Sequence, residues 1–190
     1  MSTTTDRRVK YTKMVLRESL IKKLRDKPIA RITIKELCED ADINRTTFYA
    51  HYTDQFDLLN KIQDAFIADI NSYLDQFALE SGDSGMLQLL SKIFEYIAQN
   101  DELCRVLLGS NGVVDFQTKV MQIVSTRIVV EWRKKQQVDE ATAQYIYTYV
   151  ATGSIGVIRK WLLDTNPKSP QEMAHLVVRM VYKGIEQFIL

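Results

Sequence analysis

Residues that break helices are scarce in this chain: 7 glycines and 3 prolines in 190 positions. That argues against a strand-and-turn architecture and for long, uninterrupted helices. Cysteine is limited to Cys38 and Cys104, far apart and with no CxxC spacing. Neither a disulfide framework nor a structural zinc site is expected, both thiols read as inert core residues, and a reducing compartment fits. The two histidines, His51 and His175, are too few and too separated for a metal cluster. No run approaches about 18 apolar residues, so no transmembrane helix is expected. The opening residues, MSTTTDRR, lack the apolar stretch of a signal peptide. The expected location is cytoplasmic, away from the membrane.

A catalytic constellation is missing as well. Gly153-Ser154-Ile155-Gly156 lacks the G-x-S-x-G spacing of a hydrolase elbow, and "GDSG" lacks the Gly-Lys-Ser/Thr ending of a phosphate loop. No enzyme, cofactor or metal is expected. Net charge is only +1, so the whole molecule is no polycation. Its distribution is uneven, however. Between Arg7 and Arg31 ten Lys and Arg residues face two acids, Glu18 and Asp26. A basic N-terminal end on a near-neutral protein suggests a local polyanion-binding surface, against the plainer reading of a solvated helix face.

The periodicity predicts an all-α chain of roughly nine helices, with no internal repeat. Val9, Met14, Leu16, Leu20, Ile21 and Leu24 give one apolar side to a helix from Asp6 to about Arg25, which Pro28 ends. Thr33-Ile34-Lys35-Glu36 is a capping box opening a helix to about Glu39 or Asp40. Asn44 caps a second, to about His51, and Asp54 with Asp57 opens a long one to about Glu80. Further helices are expected at about 85–99, 101–108, 114–135, 139–164 and 170–189, with Pro170 at a first helical position. "SGDSG" at 81–85 is the best boundary by composition. The expected division is an N-terminal domain at 1–53 and a second helical domain at 54–190, with 54–80 as connecting helix.

The stretch from Thr33 to Asp54 has the parts of a helix-turn-helix: two short helices, a tight turn and an apolar underside. Ile34, Leu37, Ala41, Ile43 and Phe48 can share one core. Asp42 sits where the turn often needs a positive φ, which Asp tolerates better than most residues. The second helix exposes Asn44, Arg45, Thr46, Thr47, Tyr49 and His51, hydrogen-bonding groups with little burial drive. In such units the second helix enters the major groove N-terminus first.

"ITIKELCEDADINRTTFYAHYTDQFDLL" resembles the N-terminal DNA-binding domain of the TetR/AcrR family of bacterial transcriptional repressors, over about residues 8–60. "YIYTYVATGSIGVIRKWLLDTNPKSPQEMAHLV", and "LLGSNG" followed by Phe116, are similar to the C-terminal domain of a branch that includes regulators of dihydroxyacetone utilisation. The resemblance implies a homodimer on a palindromic duplex operator and a helical domain that releases DNA when a small-molecule effector binds. It implies that Arg45, Thr46 and Thr47 approach bases, while Thr33, Tyr49, His51 and Tyr52 lie on or near phosphates. Arg bonds guanine bidentately and a Thr methyl meets the thymine methyl; Tyr and His donate to phosphate. Lys10, Lys13 and Arg17 would add a salt-sensitive, sequence-independent attraction. Among the aromatics, Phe94, Phe116, Trp132, Tyr145 and Tyr149 are effector-pocket candidates. Apolar stripes of Tyr147, Val150, Ser154, Val157, Ile158 and Trp161, and of Leu176, Val177, Met180, Val181 and Ile185, would build the dimer interface.

Three positions depart from the family pattern. Asp42 replaces a usual Gly, Cys38 a common Ala, and Gln55-Phe56 a frequent Lys-Glu pair whose Lys contacts phosphate. Phe56 is expected to pack instead, while the Gln55 amide at a helix start remains an anion donor. These departures keep an alternative open: a helical co-regulator or small-molecule sensor that acts through a protein partner without binding DNA. Tyr49 and His51 likewise have plainer readings, as a packing ring and a helix-end residue.

Overall fold

The computed structural model describes residues 3–77, 83–109, 116–120, 122 and 139–189. Among them every regular element is helical. In chain order these are α1 (Thr3–Asp26), a 3-10 turn (Ile29–Arg31), α2 (Ile34–Asp40), α3 (Arg45–Tyr49), α4 (Gln55–Phe77), α5 (Asp83–Gln99), α6 (Asp101–Leu108), α7 (Glu140–Leu163) and α8 (Pro170–Ile189). Of the helix expected at 114–135 only 116–120 and 122 fall among the described residues, and they are helical. No described helix is long and apolar enough to cross a membrane.

The chain forms two compact units, Met1–Ile67 and Ala68–Leu190. The boundary between these compact units lies inside α4. The first half of α4 buries Leu58, Leu59, Ile62 and Phe66. These apolar positions tie it to the helices before it.

The core of the first unit is built from Leu16, Leu20, Leu24, Ile32, Leu37, Phe48 and Leu58, each almost or fully buried. On α1 the i, i+4 row of Leu16, Leu20 and Leu24 faces inward, as the periodicity required. Met14 does not: it is 47% exposed. Two residues before Leu16, it stands about 200° round the helix from that row. Ser19 on α1 donates its hydroxyl to the Leu37 carbonyl, 3.3 Å away, joining α1 to α2 at a buried point.

In the second unit α5 packs along α8 and α6 against α7. Phe94 meets Trp161 edge-on at 5.3 Å, and the indole Nε1–H donates to the Lys168 carbonyl at 2.7 Å. The ring thus buries its body while its polar edge is satisfied. Asp139 caps α7 by accepting the Thr142 amide at 3.0 Å. Ser169 and Glu172 make a second reciprocal capping box at the start of α8, with Pro170 at its first position.

Candidate nucleic-acid interface

The interface candidate rests on three successive caps. Thr33 Oγ1 accepts the Glu36 amide at 3.2 Å, and the Glu36 carboxylate accepts the Thr33 amide at 2.9 Å. Lys27 reaches the same carboxylate from the end of α1. Lys27 first, then the Thr33 amide and hydroxyl, hold the Glu36 carboxyl down at about 2 from an ordinary 4.5. A depressed carboxyl stabilises the fold above its unfolded value, and that contribution fades as pH falls through the folded one. Glu36→Gln should therefore lower the urea midpoint near neutral pH. Its deficit against the parent chain should shrink between pH 4.5 and about 2; an unchanged deficit in circular dichroism titrations would contradict the assignment.

Helix α2 ends in a turn whose geometry is specific. Ala41 donates its amide to the Leu37 carbonyl at 3.0 Å, and Ile43 donates to the Cys38 carbonyl at 2.9 Å. That longer bond spans five residues and marks a Schellman ending, in which the residue after the cap takes the left-handed conformation. Asp42 occupies it, with φ of 51°. The sequence expectation of a positive φ is met by a non-glycine residue, which costs about 1 kcal/mol. Asp42→Gly should raise the melting temperature of the first unit by a few degrees, by about 0.5–1 kcal/mol. A lower melting temperature would show that the Asp42 side chain supports the turn.

Asn44 then caps α3, its Oδ1 accepting the Thr46 amide at 2.9 Å. Phe48 points into the core at 0% exposure and anchors the short helix. On the outward side Arg45 and Thr46 are exposed, Thr47 is half-buried and Tyr49 is 57% exposed. His51 is half-buried just beyond the helix. Tyr52 is different: it is 6% exposed, lies 5.6 Å from the Phe48 ring, and has its hydroxyl pKa raised by burial. The phosphate role expected for it gives way to packing, because its ring closes the core beneath the α3–α4 junction. Thr33 is exposed, but its hydroxyl is already spent within the Glu36 box. Phe56, expected to pack, is 44% exposed.

The basic run divides into two groups. Lys22 and Lys23 reach Asp40 at 2.6 and 3.9 Å, and Lys27 reaches Glu36, so these cations hold α1 to α2. Lys10, Lys13 and Arg17 stand exposed on the earlier turns, Lys10 with Asp6 at 3.1 Å. A shallow, solvent-open cleft of about 460 Å³ lies at the turn, lined by Lys35, Cys38, Glu39, Asp42, Ile43, Asn44 and Arg45. Lys35 was not singled out from sequence, since only the folded turn brings it onto the same cleft as Arg45. Burial pushes the Cys38 thiol upward, with Arg45 opposing, so it is a poor nucleophile.

The second unit sorts the remaining candidates. Phe94 and Phe116 are each 2% exposed. Tyr145 and Tyr149 are 79% and 71% exposed. Trp132, and the side chain of Ile185, lie outside the described residues. Val150, Trp161 and Val177 are buried within the single chain, which moves them from the expected interface stripe into the core. The stripe that remains on the surface or half-buried is Tyr147, Ser154, Val157, Ile158, Leu176, Met180 and Val181. A Cβ at Gly153 or Gly156 would meet nothing within 4 Å among the described residues, so both positions are open on this helix.

Residues 85–183 match the family model of the TetR-type "Transcriptional regulator C-terminal region". The chain belongs to the TetR family of transcriptional regulators. No curated protein matches it in sequence. Among solved structures it is similar to a TetR transcriptional regulator from Streptococcus agalactiae 2603V. The two are 18% identical, with a TM-score of 0.67, over 95% of this chain and 99% of the other. It is similar to the dihydroxyacetone kinase operon activator DhaS, 17% identical with a TM-score of 0.58, over 93% and 97% of the two chains. It is also similar to the Bacillus subtilis regulator FadR, solved with stearoyl-CoA, 12% identical with a TM-score of 0.68, over 90% and 98%. At these identities the likeness establishes a shared fold, and the TetR assignment rests on the C-terminal region.

Proposed function

We propose that this TetR-family regulator is a ligand-responsive repressor that binds a palindromic operator as a homodimer. The observation that carries the reading is α3: Arg45, Thr46 and Tyr49 face solvent on a short helix that Phe48 anchors to the core. A polar helix held rigidly at its base is what reading base edges requires. Arg45 is the proposed guanine reader, with Thr46 and Thr47 beside it. Asn44, Tyr49 and His51 flank them toward the phosphates, and Lys10, Lys13 and Arg17 supply the salt-dependent attraction.

The dimer reading draws on the surface of α7 and α8. Tyr145, Tyr149, Leu163, Leu176 and Met180 are large apolar groups exposed in the single chain. The two open glycines of α7 would let a second helix approach closely. The effector is proposed as a small molecule with an apolar part, bound in the second unit near Phe94 and Phe116. The stearoyl-CoA in the FadR structure makes an acyl compound the first class to try. Effector binding would shift the population between two dimer states that space the DNA-reading heads differently.

The deciding experiment is a fluorescence-anisotropy titration of the effector-free protein with DNA flanking its own coding region, at low salt. Specific binding by a dimer is expected. No specific binding would leave the protein-partner reading standing instead. The description of DhaS as an activator gives the sign of regulation its own test. Deleting this regulator should raise, not lower, transcription from the bound promoter.

A further inference from the structure

Helix α3 has five residues, too few to hold a helical conformation or an orientation by itself. Its N-terminal end is set by the Asn44 cap and its underside by Phe48. Its C-terminal end is held by a residue that the sequence pattern did not point to. Lys61, on the second turn of α4, donates from Nζ to the His51 carbonyl at 2.9 Å and to Asp57 Oδ2 at 3.0 Å. The same ammonium stands 5.0 Å from the centre of the Tyr52 ring.

Each partner is itself fixed. Asp57 Oδ2 also accepts the Thr53 amide at 3.0 Å, and the Asp57 amide donates to Asp54 Oδ1 at 2.8 Å. Tyr52 lies against Phe48, the anchor of α3. An i, i+4 pair with Asp57 alone would be an ordinary surface ion pair of little consequence. The contact ten residues back, on the His51 carbonyl two residues past α3, makes the difference, because it joins two elements.

We infer that Lys61 is a positioning residue for the DNA-reading helix: its ammonium ties the C-terminal end of α3 to the first turns of α4. The inference rests on the DNA-binding reading proposed above. Lys61 sets the angle at which Arg45 and Thr46 are presented, without itself touching a base.

The test compares Lys61→Met, which keeps the apolar stem and removes the charge, with Lys61→Arg, which keeps a donor cation. The DNA probes are a duplex selected by the parent protein from a random pool and a random duplex of equal length. Lys61→Met should lower the ratio of selected to random affinity about tenfold, the scale of a charge-assisted hydrogen bond. The salt slope should be unchanged. Amide exchange at His51 and Tyr52, both bonded to the Phe48 carbonyl, should accelerate in the free protein. Lys61→Arg should restore most of both effects. Equal loss on both duplexes, with a salt slope shallower by about one, would make Lys61 a phosphate contact and overturn the inference. Unchanged exchange at His51 and Tyr52 would overturn it too. If the parent protein selects no DNA, the DNA-binding reading fails, and the exchange comparison still decides whether the clamp exists.

Discussion

Phe48→Ala is expected to melt the first unit while leaving the second folded. Phe48 has 0% exposure and is the largest side chain joining α3 to the core of Leu16, Leu20, Leu37 and Leu58. Emptying such a site costs about 3–5 kcal/mol. A unit ending at Ile67 holds only about 3–10 kcal/mol in total. The substitution therefore removes a large share of its stability, and unfolding ceases to be a single transition. The two tryptophans, Trp132 and Trp161, both fall in the second unit, so their fluorescence follows that unit alone. Circular dichroism should show a new low-temperature step in Phe48→Ala, with the tryptophan transition unmoved. A coincident drop in both signals would mean that the units fold as one.

Arg45→Ala is expected to remove discrimination between operator and random DNA, with a smaller loss of general affinity. A bidentate Arg–guanine contact is worth about 1–3 kcal/mol, or about 5- to 150-fold for each half-site. Lys13→Ala supplies the contrast. It should weaken operator and random DNA alike and make the salt slope about one unit shallower. Anisotropy titrations at several salt concentrations measure both quantities. An equal loss on both duplexes for Arg45→Ala would contradict its base-reading role.

These two substitutions act on neighbouring residues of one short helix, yet they were not equally legible. The capping residues announced where α3 begins, and side-chain polarity assigned Phe48 to the core and Arg45 to solvent. Tyr52 was misplaced because it lies past the end of α3, where no helical period applies. Its burial follows from how the chain turns into α4. Lys61 gave no signal at all: a lysine on a long helix looks like any solvated cation until the fold brings the His51 carbonyl to it. In the second unit, Tyr145 and Tyr149 are aromatic residues on an apolar helix, and pattern alone assigns such rings to a core or pocket. They are exposed because α7 meets its neighbours on another face.

The sequence by itself determined the family, the helical class and the helix starts at Thr33, Asn44, Asp54, Asp139 and Ser169. A cap involves partners within a few residues, so its chemistry is complete in the local chain. It also determined the left-handed turn at Asp42, for the same reason. Only the tertiary structure decided which face of each helix is covered, where the first unit ends along α4, and which cation holds α3 in place. Those outcomes depend on contacts between residues distant in the chain, and helical periodicity defines faces without saying what they meet.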